Sequence, residues 1–249
     1  MLSVVQRGRE AAVAAAIPYT AAVLEETGQV APAVGVIGGS RFVAAAPDGR
    51  PMGSLLDESV IAAKVAVKAG VPVPSALASA GSRLTRDVLT VLADTRRQVY
   101  HADIIQRPTL TGYTRMLNPP SCSRCVILAG KWFGWNEGFQ RHPRCDCIHI
   151  PTSEALSTEF ALNPNEYFDS LSKEQQDKTF TRSGARAIRD GADMNRVVNR
   201  QGMPTVLTGR GKNRVARMTV DDIYRVAGTR SNAIQLLQQE GYILPAFGL

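Results

Sequence analysis

Five side chains able to ligate a soft metal fall within 26 positions: Cys122, Cys125, His142, Cys145 and Cys147. They read C-S-R-C, then sixteen residues, then H-P-R-C-D-C, and all four cysteines of the chain are among them. Two cysteines with a two-residue gap can grip one Zn²⁺ from a tight turn, and a tetrahedral site then needs two more ligands. The downstream cluster offers three. The spacing predicts a structural Zn²⁺ on Cys122 and Cys125 plus two of His142, Cys145 and Cys147. His142 and Cys147 are favoured, because Cys145 and Cys147 are so close in sequence that sharing one ion should strain them.

Other uses of these cysteines explain less. Four cysteines in 249 residues is sparse for a disulfide-stapled fold. The Ala-rich start is interrupted by Arg7, Arg9 and Glu10, so it reads as an amphipathic helix rather than a secretory leader. A redox C-x-x-C belongs at a strand–helix junction, whereas Cys122 follows the turn sequence Asn118-Pro119-Pro120. A zinc deaminase carries H-x-E…P-C-x-x-C. Here Asp103 stands in the Glu position after His101, Ser121 separates Pro120 from Cys122, and three downstream ligands are left without a role. Five candidates for one ion describe a closed site, not one with a position kept open for water.

The elements that position this stretch are mostly helical. A first helix is expected over 3–27, ending at Gly28. Gly38-Gly39 and Pro47-Asp48-Gly49 mark a loop. Asp57 caps a helix to Lys68, stopped by Gly70. Ser75 opens a long helix through Ile105, with His101 on it and Gly81 as a kink or close contact. Residues 109–117 read as extended. Trp132, Phe133, Trp135 and Phe139 supply a miniature core for the zinc loop, or a protein-binding surface. Ile148-His149-Ile150 alternates like a surface strand closed by Pro151, with His149 outside the ligand set. Beyond it come helices over 165–171, from the capping box of Ser172 and Gln175 through Arg189, over 193–200, from Thr219 to Gly228, and a last one capped by Ser231. The fold class is mainly α, with a small zinc-knuckle insert carrying short β segments. Its regions are an N-terminal helical part (1–70), the long helix (71–115), the Cys/His knuckle (116–152) and a basic helical part (153–249).

Charge is concentrated. Lys178 to Arg230 holds twelve basic and four acidic residues, a net +8 in a chain of +7. Arg182, Arg186, Arg189, Arg196, Arg200, Arg210, Lys212, Arg214 and Arg217 are the candidate contacts to DNA or to an acidic protein surface. Aromatics for base stacking are not interleaved with them, so the expectation is non-specific contact. Thr208 to Lys212 reads as a flexible basic loop and lacks P-loop spacing. No apolar run is long enough to span a bilayer.

Two stretches carry a family resemblance. Pro120-Ser-Cys-Ser-Arg-Cys-Val-Ile-Leu-Ala-Gly-Lys131 with Phe139-x-x-His142-Pro-x-Cys145-Asp-Cys147 resembles the signature of phage Mu protein F-like minor head proteins. Tyr167-Phe168-x-Ser170-Leu171, Gly184-Ala-x-Ala-Ile-Arg-Asp-Gly-Ala-Asp193 and Val197-Val198-Asn199 resemble the version carried by actinobacterial tailed phages. The resemblance covers roughly residues 75–249. It implies a structural minor capsid protein of head morphogenesis and DNA packaging. Its partners would be the portal and the major capsid or scaffold protein, in the virion and, during assembly, the host cytoplasm. Some relatives are linked to the capsid maturation protease, which is the alternative function. The residues give that chemistry no support: no G-x-S-x-G elbow is present, and a zinc-bound thiolate is not a free nucleophile.

Overall fold

In the computed structural model, the described residues are 1–138, 145, 147–160, 162–201, 206–208 and 215–244. The fold is mainly helical, with short strands flanking the cysteine stretch. The chain divides into two compact units. One is Met1–Asn118 with Gly130–Ala161, and the other is Pro119–Ala129 with Leu162–Leu249.

The first unit opens with α1 (Leu2–Ala16) and α2 (Tyr19–Glu26), not one continuous helix. Pro18 is the reason: it has no N–H to donate, and its ring crowds the carbonyl four residues back. Helix α3 (Met52–Lys68) begins directly after Pro51, so Asp57 is an exposed interior residue rather than a cap. It terminates at Gly70, whose φ of 87° suits glycine. Helix α4 (Val73–Ile105) runs 33 residues and takes Pro74 into its first turn, where a missing N–H costs nothing. Gly81 makes no close helix contact, since a Cβ added there would meet nothing within 4 Å.

Apolar side chains from α1, α3 and α4 interlock. Val5, Leu55, Leu56 and Val91 form one cluster, and Val13, Ala16, Val99 and Tyr100 another. Arg9 is fully buried beside them. It donates to Thr95 Oγ1 at 3.2 Å and to the carbonyls of Phe42, Val43 and Ala45, which pins the 39–46 loop to the helices. Burial lowers its pKa from the ordinary arginine value.

Three antiparallel strands complete this unit: β1 (Gly112–Met116), β2 (Trp132–Gly134) and β3 (Ile148–Thr152), in the order β2-β1-β3. Tyr113 faces Phe133 on one side and Pro151 on the other. Pro151 lies inside β3 rather than closing it. An edge strand tolerates proline, because one row of its N–H groups has no partner strand. At Gly112 a Cβ would sit 2.0 Å from the Phe133 carbonyl oxygen, so only glycine fits between β1 and β2.

The second unit comprises α5 (Ser123–Val126), α6 (Pro164–Ser170), α7 (Lys173–Phe180), α8 (Arg182–Arg189), α9 (Met194–Arg200), α10 (Val220–Val226) and α11 (Arg230–Gln239). It also holds a paired β4 (Val206–Thr208) and β5 (Val215–Arg217). The Ser172 capping box is present, but the helix expected through Arg189 divides at Thr181. That residue has φ 63°, and its side chain caps α8 by accepting from the Gly184 N–H at 3.2 Å. Thr229, not Ser231, caps α11 by accepting from the Asn232 N–H. The hairpin of β4 and β5 was not anticipated: Thr208 ends β4, and residues 209–212 of the expected loop lie outside the described residues. Ala187, Val197, Ile223, Ala233, Leu237 and Tyr242 form the core. No described helix is long and apolar enough to cross a membrane.

Candidate metal centre

Cys122 precedes the single turn of α5, and Cys125 lies inside it. One helical turn places residues three apart on the same face, and the two sulfurs are 3.5 Å apart. Gly130, at φ 72°, turns the chain back. Its N–H donates to the Arg115 carbonyl at 2.7 Å, and the Arg115 N–H donates to Lys131 O at 3.0 Å. The excursion from β1 therefore closes at Arg115.

The sulfurs of Cys125, Cys145 and Cys147 lie within 4.8 Å of one another, and all three residues are buried. With Zn–S bonds of about 2.3 Å, the sulfurs of a tetrahedral site are roughly 3.8 Å apart. The three cysteines thus have the spacing to hold one metal ion. The sulfurs of Cys145 and Cys147 lie together beside Cys125, although their spacing was expected to strain a shared ion. Cys122 is exposed, beside Cys125. His142 lies outside the described residues.

Two buried arginines serve this site, and neither was singled out from sequence. Arg97, on α4, donates Nε–H to the Cys147 carbonyl at 3.0 Å and another N–H to the Cys145 carbonyl. Its third contact is an ion pair with Asp94 at 2.9 Å. Arg115, on β1, is 1% exposed. Its Nη2 lies 3.6 Å from the sulfur of Cys145 and 3.4 Å from that of Cys147. A buried guanidinium is costly without compensating polar groups, and the Cys145 and Cys147 sulfurs are two of those within its reach. Arg115 is the one charged residue of β1 and lies seven positions before Cys122, which by itself does not mark it in the sequence as a buried group.

His149 is not on the surface as expected. It is buried and stacked on Tyr113, with ring centroids 4.0 Å apart. Phe133 stacks on Tyr113 at 5.7 Å. The Tyr19 hydroxyl donates to the His149 carbonyl at 3.0 Å and fastens β3 to α2. Burial, reinforced by Tyr100 and Glu26, pushes the Tyr19 phenol well above its usual range, so it remains a donor. Of the four aromatics in the loop, Phe133 joins a core with Leu24, Ile104 and Tyr113, Trp132 is partly buried, and Trp135 is exposed. Phe139 lies outside the described residues. Asp103, the residue in the deaminase position, is held by Arg107 at 3.2 Å and Gln106 at 2.8 Å.

The basic segment is largely spent on internal structure. Arg189 binds Gln176 and Asp177, Arg196 donates to Gly241 O, and Arg200 donates to Glu240 O. Arg186 lies over the Tyr224 ring at 4.2 Å. Arg182 and Arg217 are exposed, and Arg210, Lys212 and Arg214 lie outside the described residues. Several residues of the run Gly184 to Asp193 are architectural. Ala185 and Ala187 are buried, Asp190 accepts from Tyr224 and Arg230 at 2.7 Å each, and Asp193 caps α9. No protein-family model, curated protein or solved structure matches this chain.

Proposed function

We propose that this chain is a structural minor head protein of the Mu protein F-like kind, stapled locally by one Zn²⁺ on Cys122, Cys125, Cys145 and Cys147. The observation that carries the reading is the thiol cluster itself: three of its sulfurs are buried, within 4.8 Å of one another, and its cysteine pair is clasped by two buried arginines. Such a site suits cross-linking rather than turnover, which needs an open coordination position. Bound zinc would supply that cross-link, in a chain whose aromatic content is only 6%.

The assignment to phage heads rests on the two signature stretches. Among the described residues of these stretches, Cys125, Cys145, Cys147, Ala185, Ala187, Asp190 and Asp193 have architectural duties in this fold. Among the nine basic candidates, Arg182 and Arg217 are exposed and Arg186 is exposed over the Tyr224 ring, and these three would face a portal, capsid, scaffold or DNA surface. Deleting the gene from the phage that encodes it tests the reading. Heads should fail to mature or fill, and the wild-type protein should co-sediment with purified heads. Normal, DNA-filled heads without it, and its absence from wild-type particles, would contradict the proposal.

A further inference from the structure

We infer that the outer face of α3 is a self-association surface, on which α3 of a second copy of this chain docks antiparallel about a two-fold axis at the level of Ala63. The inner face of α3, with Met52, Leu55, Leu56, Ser59 and Ala63, is buried. Asp57, Ile61, Lys64, Val65 and Lys68 follow the i, i+4, i+7, i+8, i+11 spacing of the opposite stripe, and all five are exposed. Ile61 is 56% and Val65 60% exposed, and Val60 and Val67, also exposed, border them. β-Branched side chains are poorer helix formers than alanine, which the same stretch uses at positions 62, 63 and 66. Facing water they give the isolated protomer nothing, and a grouped exposed apolar surface marks a contact. The charges on this face are equally unspent. Asp57, Lys64 and Lys68 make no hydrogen bond or ion pair among the described residues.

The order of charges along the face selects the occupant. An acid, Asp57, begins it, Ile61 and Val65 hold its middle, and Lys64 and Lys68 lie toward its end. Two copies laid parallel would set like charges against each other. Laid antiparallel, Asp57 of one copy faces Lys68 of the other, and Ile61 faces Val65. Both pairs are centred within one residue of Ala63, so a single two-fold axis makes each of them twice, as an isologous contact requires. Opposite charges flanking an apolar helix seam set its orientation in the same way. A partner of one charge sign would match only one end of the stripe. From Asp57 to Lys68 the helix spans roughly 17 Å. One helix pair of that length buries less than the roughly 1,200 Å² of a stable interface, so the dimer is weak, with a dissociation constant of about 10–100 µM. It forms where copies are held at high local concentration.

Sedimentation equilibrium of the full chain tests this, in reducing buffer so that exposed Cys122 forms no intermolecular disulfide. The wild type should pass from monomer to dimer between about 1 and 500 µM. Ile61→Glu changes a water-facing position, so its far-ultraviolet dichroism should match the wild type, and its dissociation constant should rise at least about tenfold. Asp57→Lys should weaken the dimer similarly, by placing lysine against lysine. The double variant Asp57→Lys with Lys68→Asp exchanges the two ends of the face and should recover dimerisation. A wild type that stays monomeric to about 500 µM would overturn the proposal. So would a dimer indifferent to Ile61→Glu and Asp57→Lys, which would use another surface. A double variant no better than Asp57→Lys alone would refute the antiparallel pairing.

Discussion

Arg97 donates its Nε–H to the carbonyl oxygen of Cys147 at 3.0 Å, across 50 positions of sequence. The same guanidinium holds the Cys145 carbonyl. One side chain on a long helix thus sets the backbone of both cysteines before any metal arrives. Replacing Arg97 with Met strands two buried acceptors, at about 1–3 kcal/mol each. Urea unfolding should show a loss of about 3 kcal/mol, and zinc affinity should fall at least about tenfold. A variant with wild-type stability and affinity would show that the clasp is incidental.

Gly112 and Gly81 make a matched pair. A methyl at Gly112 collides with the Phe133 carbonyl, while one at Gly81 meets open space. Gly112→Ala should destabilise the protein by about 3 kcal/mol. Gly81→Ala, inside α4, should stabilise it by about 0.5–1 kcal/mol. Thermal unfolding of both reads the contrast, and a tolerated Gly112→Ala would refute the close β1–β2 approach.

Asp190 joins Tyr224 of α10 and Arg230 at the start of α11. Burial raises its pKa, but the hydrogen bonds from Tyr224 and Arg230 outweigh that, and the net shift is downward. A carboxyl lowered in the folded state stabilises above its unfolded pKa of about 4, and that contribution is lost as pH falls through the folded value. Asp190→Asn should cost about 1–3 kcal/mol at neutral pH. It should also flatten the decline in melting temperature below about pH 4. An unchanged pH profile would remove Asp190 from this role.

Arg9 holds the 39–46 loop through carbonyls alone, apart from Thr95 and the Met52 sulfur. Arg9→Leu should cost about 3 kcal/mol by stranding those acceptors. Limited trypsin digestion should then cut after Arg41 faster than in the wild type. Equal cleavage rates would mean that the loop is held by something else.

The helices and the cysteine stretch were legible because each has a local cause: apolar spacing, caps at Ser172 and Asp193, glycine at Gly70. What was illegible is tertiary. Thr181 breaks a helix through one positive φ and one hydroxyl, which no propensity reports. His149 alternates like a surface residue but is covered by Tyr113 and the helices beyond it. Arg97 and Arg115 look like ordinary surface cations until the fold brings two cysteines beneath them. The basic segment misleads in the opposite direction, because a count of arginines cannot tell Arg196 on a helix end from Arg182 in solvent.

The central claim is that the cysteine cluster holds one structural metal ion. Elemental analysis of the purified, reduced full-length protein tests it most directly. One zinc per chain is predicted for the wild type, and loss of most of it in Cys125→Ser. A folded wild-type chain carrying no stoichiometric divalent metal would contradict the account.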